Sequence, residues 1–128
     1  EFHEGQTWEA MQILSWHGLD RVGIYVDVNG QCCDGKMDDV LPLGDLAAKL
    51  RAFGARVVAV DGHDVEALAA AAEHEHEGRP LVVLCYTDPC RGLDLLRANA
   101  PKLHYLRFKS ADEKARYAEY LRRLEEVG

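Results

Sequence analysis

Three short apolar runs constrain this chain most: Val22–Val28 (VGIYVDV), Arg56–Val60 (RVVAV) and Leu81–Tyr86 (LVVLCY). Each is rich in β-branched residues and nearly continuous in its apolar character, where a half-exposed strand would alternate. Such runs are expected of parallel strands covered by helices on both faces. Helical patterns fill the intervals. In Gly5–His17, the residues Trp8, Met11, Leu14 and Ser15 follow helical spacing. Ile13 and Trp16 widen that face, so a well-buried helix is expected. Leu43, Leu46, Ala47, Leu50 and Phe53 repeat at helical intervals up to Gly54, a glycine stop. Asp64 is placed to cap a helix carrying Val65, Leu68, Ala69 and Ala72, with its end at Gly78 and Pro80. A last helix is expected over roughly Ala111–Glu126, with Tyr117, Tyr120, Leu121 and Leu124 on one face, and Asp88–Ser110 before it is less regular.

The fold class is therefore α/β, a parallel sheet with helices on both faces. The order β-α-β-α-β with short connections implies right-handed crossovers and a ligand site beyond the carboxyl ends of the strands. Asn29, Gly62 and Thr87 all fall there.

At 128 residues the chain is compatible with one domain and a conventional core. Fifteen Lys and Arg against 22 Asp and Glu leave a net charge of −7, and no basic cluster offers a face for phosphate backbones, so nucleic acid is not expected as a partner. No apolar run approaches the ~20 residues of a membrane span, so a soluble protein is expected. Cys32, Cys33, Cys85 and Cys90 show neither the C-x-x-C spacing of a zinc site nor the density of a disulfide scaffold. With no signal peptide visible, this suits reduced thiols in the cytoplasm. The first residue is Glu1 and a helical pattern follows within a few positions, as expected of a fragment.

The sharpest constellation runs from Val26 to Gly35, directly after the first strand (VDVNGQCCDG). An Asn side-chain carbonyl, followed two residues later by a main-chain carbonyl in a glycine-containing turn, offers the hard neutral oxygens that Mg²⁺ or Ca²⁺ accepts. An ordinary strand-to-loop turn uses the same dipeptides. Glu73-His74-Glu75-His76-Glu77 also looks metal-like, but His at i and i+2 do not share a helix face, which favours a solvated helix end. Cys32 and Cys33 are poorly placed to chelate one ion together. His63 reads as part of the turn and cap before the next helix, and His3 and His17 carry no assigned role.

Several segments, in order, carry a resemblance. They are Glu4-Gly5-Gln6-Thr7-Trp8-Glu9-Ala10, then Leu19-Asp20, then the Asp27–Gly35 loop, then Leu46-Ala47-Ala48-Lys49 with Arg51-Ala52-Phe53-Gly54, and Val60-Asp61-Gly62-His63-Asp64. Across about Glu1–Pro80 the chain resembles the thiamine-diphosphate-binding domain of transketolases, most of all the separate N-terminal subunit of split transketolases. In that family a Gly-Asp-Gly, a later Asn and a carbonyl two residues beyond it hold Mg²⁺, and the metal holds the cofactor diphosphate. The resemblance gives Asn29 and Gln31 as metal and cofactor ligands. It also implies that residues 1–128 form the C-terminal part of the domain, beginning just after its metal aspartate. Neutral oxygens alone hold a hard dication weakly, so that carboxylate matters.

Further roles follow residue by residue. Glu4 matches a glutamate in an acidic network between two cofactor sites, where desolvation and like charges would raise its proton affinity. Read by itself, it is a first-turn glutamate favoured by the helix dipole. His104 matches a histidine that approaches cofactor and substrate and handles a proton. Leu103 and Tyr105 replace its family neighbours Trp and Gly, and a surface histidine is the other reading. Where the family reads Lys-Thr-x-Lys-Gly-Lys-Gly, this chain has Tyr86-Thr87-Asp88-Pro89-Cys90-Arg91-Gly92. Pro89 takes the place of the lysine near the cofactor, and Arg91 is the cation left to reach the diphosphate.

The resemblance implies a transferase passing a two-carbon ketol unit from a ketose to an aldehyde, with thiamine diphosphate and Mg²⁺. It further implies a pyrimidine-binding C-terminal subunit as partner, in a dimer of heterodimers, with a sugar or keto substrate. A specialised or pyruvate-dehydrogenase-like two-carbon transfer is the alternative suggested by the altered Tyr86–Gly92 loop, and a non-catalytic scaffold is a third.

Overall fold

A computed structural model describes residues 1–127 except Asp34 and Glu75. The element order is α1 (Gly5–Trp16), β1 (Gly23–Val28), β2 (Gln31–Cys32), β3 (Gly35–Lys36), α2 (Met37–Val40), α3 (Leu46–Ala52), β4 (Arg56–Asp61), α4 (Val65–Ala72), β5 (Leu81–Tyr86), α5 (Asp94–Arg97) and α6 (Ala111–Val127). The three apolar runs form one parallel sheet in the order β1-β5-β4, and β2 pairs with β3 as a small antiparallel hairpin.

Strand β5 lies in the middle, and the period of two sorts its side chains into two cores. Val82 and Leu84 join Met11, Leu46, Leu50, Ala55 and Val57 on one face. Leu81, Val83 and Cys85 join Ala71 on the other, with Val58, Val60 and Leu68 packed against them. Helices α1 and α3 therefore cover one face and α4 the other. Leu81 through Cys85 are all buried. The expectation of double coverage holds for β5, whereas β1 and β4 alternate in exposure because each is an edge strand of this sheet.

Helix α1 is the clearest correction. Met11 is buried and Trp8 and Leu14 pack against the core, but Ile13 is 51% and Trp16 77% exposed, so the buried stripe is narrower than expected. Trp8 stacks edge-on to Phe2 and tilts against Phe53. Asp64 caps α4 as expected, accepting the Ala67 N–H at 2.9 Å, and Asp45 caps α3 in the same way, accepting the Ala48 N–H at 2.8 Å. Gly54, just beyond α3, takes the left-handed φ of +91°. Helix α4 ends at Ala72 instead of near Gly78, and α3 begins at Leu46, with Leu43 packing against the core from outside the helix. In the Glu73–Glu77 run, His76 Nδ1 meets the Arg79 carbonyl at 2.8 Å, and Glu75 lies outside the described residues.

Helix α6 stands on the segment around α5 through tyrosines: Tyr117 donates to the Leu95 carbonyl at 3.0 Å and Tyr120 to that of Gly92. Tyr117, Tyr120, Leu121 and Leu124 line one groove, the face that the sequence spacing gives. Among the described residues no helix is long and apolar enough to cross a membrane.

Candidate functional site

Strand register builds the site. Val28 pairs with Tyr86, and Tyr86 with Asp61, so the three strands end level. The residues that follow them, Asn29, Thr87 and Gly62, leave the sheet side by side at its carboxyl edge. Gly62 has a steric reason to lack a side chain: a Cβ there would come 2.5 Å from Thr87 Cγ2 and 3.1 Å from Cys85. Its N–H donates to the Tyr86 carbonyl at 2.8 Å and extends the β4–β5 pairing past the strand ends.

At β1, the Asn29 side chain is fixed at both ends. Its Nδ2 donates to Asp27 Oδ2 and its Oδ1 accepts the Gln31 N–H, each at 2.9 Å. This orientation of the amide satisfies donor and acceptor alike. Thr87 donates to the other Asp27 oxygen, Oδ1, at 2.5 Å and ties the end of β5 to that of β1. Asn29, Gln31 and Asp27 line a cavity of about 100 Å³ together with Glu1, His3 and Met37. Gln31 Oε1 is buried and meets no hydrogen-bond partner among the described residues. Asn29 and Gln31 thus sit in one turn on one cavity.

The second half of the edge joins the loop after β5 to the turn after β4. Asp61 accepts the His63 N–H at 2.9 Å and pairs with Arg91 at 3.4 Å. The His63 N–H first, and then Arg91, hold the Asp61 carboxyl below its usual range. Asp88 donates its own N–H to His63 Nε2 at 2.8 Å. Its carboxylate accepts the Cys90 N–H at 2.9 Å and pairs with Arg97 at 2.6 Å, and both lower its proton affinity, the Cys90 N–H foremost. Cys85 is buried beneath this edge, and desolvation raises its thiol pKa.

Arg91 therefore stands at the strand ends, engaged by Asp61 and open to solvent. Glu4 is exposed at the N-cap of α1 and makes no side-chain capping bond. His104 is exposed, in edge contact with Tyr105, and is not among the residues lining the Asn29 cavity. Asp27, Asp88 and the imidazole of His63 are members of the network to which sequence reasoning gave no site role, and Thr87 was expected at the strand ends without a partner. Asp27 did carry a signal, as the one charged residue inside an apolar strand two positions before Asn29. The His63 ring carried none, because its partner lies 25 residues away.

Among the described residues no group of three or more His, Cys, Asp or Glu is arranged to hold a metal. What the edge offers is amide and main-chain oxygen at Asn29 and Gln31, a carboxylate at Asp27, and a solvent-facing arginine.

Comparison with known proteins agrees with this architecture. Residues 1–104 match the family model described as transketolase, thiamine diphosphate binding domain. The chain is 36% identical over 110 residues to y4mO, an uncharacterized transketolase family protein of Sinorhizobium fredii, covering 84% of this chain and 39% of that protein. It is 34% identical over 94 residues to the 6-deoxy-6-sulfo-D-fructose transketolase subunit SqwG of a Clostridium species, covering 72% of this chain and 34% of that subunit. The chain thus spans well under half the length of these relatives. Among solved structures, the transketolase of Campylobacter jejuni superposes with a TM-score of 0.64 at 24% identity, over 74% of this chain and 15% of that one. A Pichia stipitis transketolase complex with sedoheptulose-7-phosphate gives 0.62 at 20%, over 97% and 22%. These two show the shared fold, and the family match over residues 1–104 goes further: the chain belongs to the transketolase family, through its thiamine diphosphate binding domain.

Proposed function

We propose that this chain supplies the metal and diphosphate side of a transketolase-like enzyme, a transferase moving a two-carbon ketol unit from a ketose donor to an aldehyde acceptor. The observation that carries the reading is the Asn29–Gln31 turn at the end of β1, lining a cavity with an unpartnered buried Gln31 Oε1. The turn's oxygens are of the kind Mg²⁺ takes, and a carboxylate beside them is needed for tight binding. Asn29 Oδ1 uses one lone pair on the Gln31 N–H and keeps the other. Asn29 Oδ1 and the Gln31 main-chain carbonyl would hold the metal, and Asp27 would fix the Asn29 amide from behind.

When bound, thiamine diphosphate supplies a carbon nucleophile and electron sink for breaking and forming a C–C bond beside a carbonyl. The chain's own contribution is positional. Arg91 would take the diphosphate, exchanging a solvent-exposed pair with Asp61 for a charge-assisted bidentate contact. His104 would donate to or take a proton from substrate oxygens, and Glu4 would join the acidic network at the interface with a second site. The complete enzyme requires a pyrimidine-binding C-terminal subunit, in a dimer of heterodimers in the cytoplasm, and residues 1–128 are the C-terminal part of the cofactor domain.

The test is calorimetry with thiamine diphosphate and Mg²⁺ on the full-length protein with its partner. Saturable binding is expected, with Asn29→Ala abolishing it; undiminished binding in that variant overturns the metal assignment. No binding by the wild type leaves the scaffold reading. A second enzymatic reading, a specialised or pyruvate-dehydrogenase-like donor, draws on Pro89 standing where the family has lysine and on Asp88 being committed to Arg97. It would fit a donor other than a common sugar phosphate, and turnover with ketose phosphates against sulfonated ketoses and pyruvate decides between the two.

A further inference from the structure

Three contacts seat the Thr87–Arg91 loop on the turn that follows β4. Gly62 N–H meets the Tyr86 carbonyl at 2.8 Å, Arg91 meets Asp61 at 3.4 Å, and the Asp88 N–H meets His63 Nε2 at 2.8 Å. They differ in kind. The first is main chain on main chain and changes little with pH. The second joins two exposed charges, so solvent screens it. The third places a titratable ring as sole acceptor for a loop amide.

A nitrogen that accepts an N–H is deprotonated, so the contact specifies the neutral imidazole with its proton on Nδ1. Protonation of Nε2 turns the acceptor into a donor facing another donor, and the contact becomes repulsive. Imidazole is the side chain suited to making that change within the physiological range. The charged groups facing the ring are Asp61 from β4 and Asp88 from the loop, held by Arg91 and Arg97 respectively. Both carboxylates are held below their usual range, so both stay charged at neutral and mildly acid pH.

We propose that His63 is a positioning residue of the diphosphate side: as a neutral imidazole it holds the Asp88 amide and so places the loop bearing Arg91, and its protonation releases that loop. The inference rests on Arg91 being a diphosphate ligand. The turn after β4 thereby does more than cap α4. It makes the reach of the loop's cation depend on pH without itself touching the cofactor.

The experiment follows the Asp88 amide by ¹⁵N NMR from pH 8 to pH 5, alongside calorimetry with thiamine diphosphate and Mg²⁺ on the protein with its partner. In the wild type the Asp88 amide should shift with one midpoint shared with the His63 ring, and affinity should fall roughly 3- to 10-fold across it, the scale of one hydrogen bond. His63→Gln, which offers a non-titrating oxygen at the place of Nε2, should hold the amide at every pH and keep its affinity at pH 5.5. The cofactor's own titration is common to both proteins and cancels in the comparison. His63→Ala should show the released amide and the weaker binding at every pH. An Asp88 amide that ignores the ring's titration overturns the proposal, as does a His63→Gln variant that loses affinity with acid as the wild type does. Absence of any cofactor binding in the wild type overturns the functional reading and the positioning role with it, while the amide titration still decides whether the ring seats the loop.

Discussion

Thr87 donates its hydroxyl to Asp27 across the ends of two neighbouring strands, at 2.5 Å and over 60 residues of sequence. The bond leaves the second Asp27 oxygen free for Asn29 Nδ2, so Thr87 orients the Asn29 amide at one remove.

Replacing Thr87 by Val keeps the shape and deletes the donor. Asp27 would then be free to rotate, and the metal affinity assigned to Asn29 should drop about 3- to 10-fold, the scale of one ordinary hydrogen bond, because Thr87 acts on Asn29 only through Asp27. Thr87→Ser should restore it. Mg²⁺-dependent calorimetry reads both, and equal affinities for Thr87→Val and wild type would remove Thr87 from the site.

Gly62→Ala introduces a Cβ at 2.5 Å from Thr87 Cγ2, with Cys85 main chain at 3.1 Å. Main chain cannot rotate aside, so the β4 turn and the β5 loop must part. A loss of about 1–3 kcal/mol is expected from such overpacking. Urea unfolding measures it, and Thr87→Ser in the same background should recover part of the loss by removing the clashing methyl.

Leu84 and Trp16 make a contrasting pair. Leu84 is fully buried in the core between α1, α3 and the sheet, so Leu84→Ala should cost roughly 2–5 kcal/mol. Trp16 is 77% exposed, and Trp16→Ala should change the unfolding free energy by no more than about 0.5 kcal/mol. A large effect at Trp16 would mean that its ring is covered in the protein as it assembles.

Acid should act on the Asp61 and Asp88 carboxyls well below the histidine range. Both are held below the ordinary aspartate value of 3.8, so the folded state favours their charged forms. Their contribution is complete above that value and is lost as pH falls through the lower folded values. The Asp61→Asn/Asp88→Asn double variant should therefore show a shallower loss of stability below pH 4 than the wild type. Chemical denaturation at a series of acid pH values checks the slope.

Much of this architecture is legible in the residues. Val82 and Leu84 face one core while Leu81, Val83 and Cys85 face the other, which is why that run shows no polar gap. Asp45 and Asp64 cap as their types suggest. Ile13 and Trp16 misled because helical spacing gives a face without saying how much of it a neighbour covers. The pairing order β1-β5-β4 was not legible, since adjacency in a sheet depends on packing between distant segments. The same cause hid the His63–Asp88 and Thr87–Asp27 contacts. The closeness of Asn29 and Gln31 was legible because a turn of three residues brings them together without help from the rest of the chain.

The level ends of β1, β5 and β4 make the sheet a platform whose length is set by buried residues and whose upper edge is written by three short connections. Each connection takes its starting point from the strand below it, and the Thr87–Asp27, Arg91–Asp61 and Asp88–His63 contacts tie the connections to one another, so a change in one of them is felt at the other two.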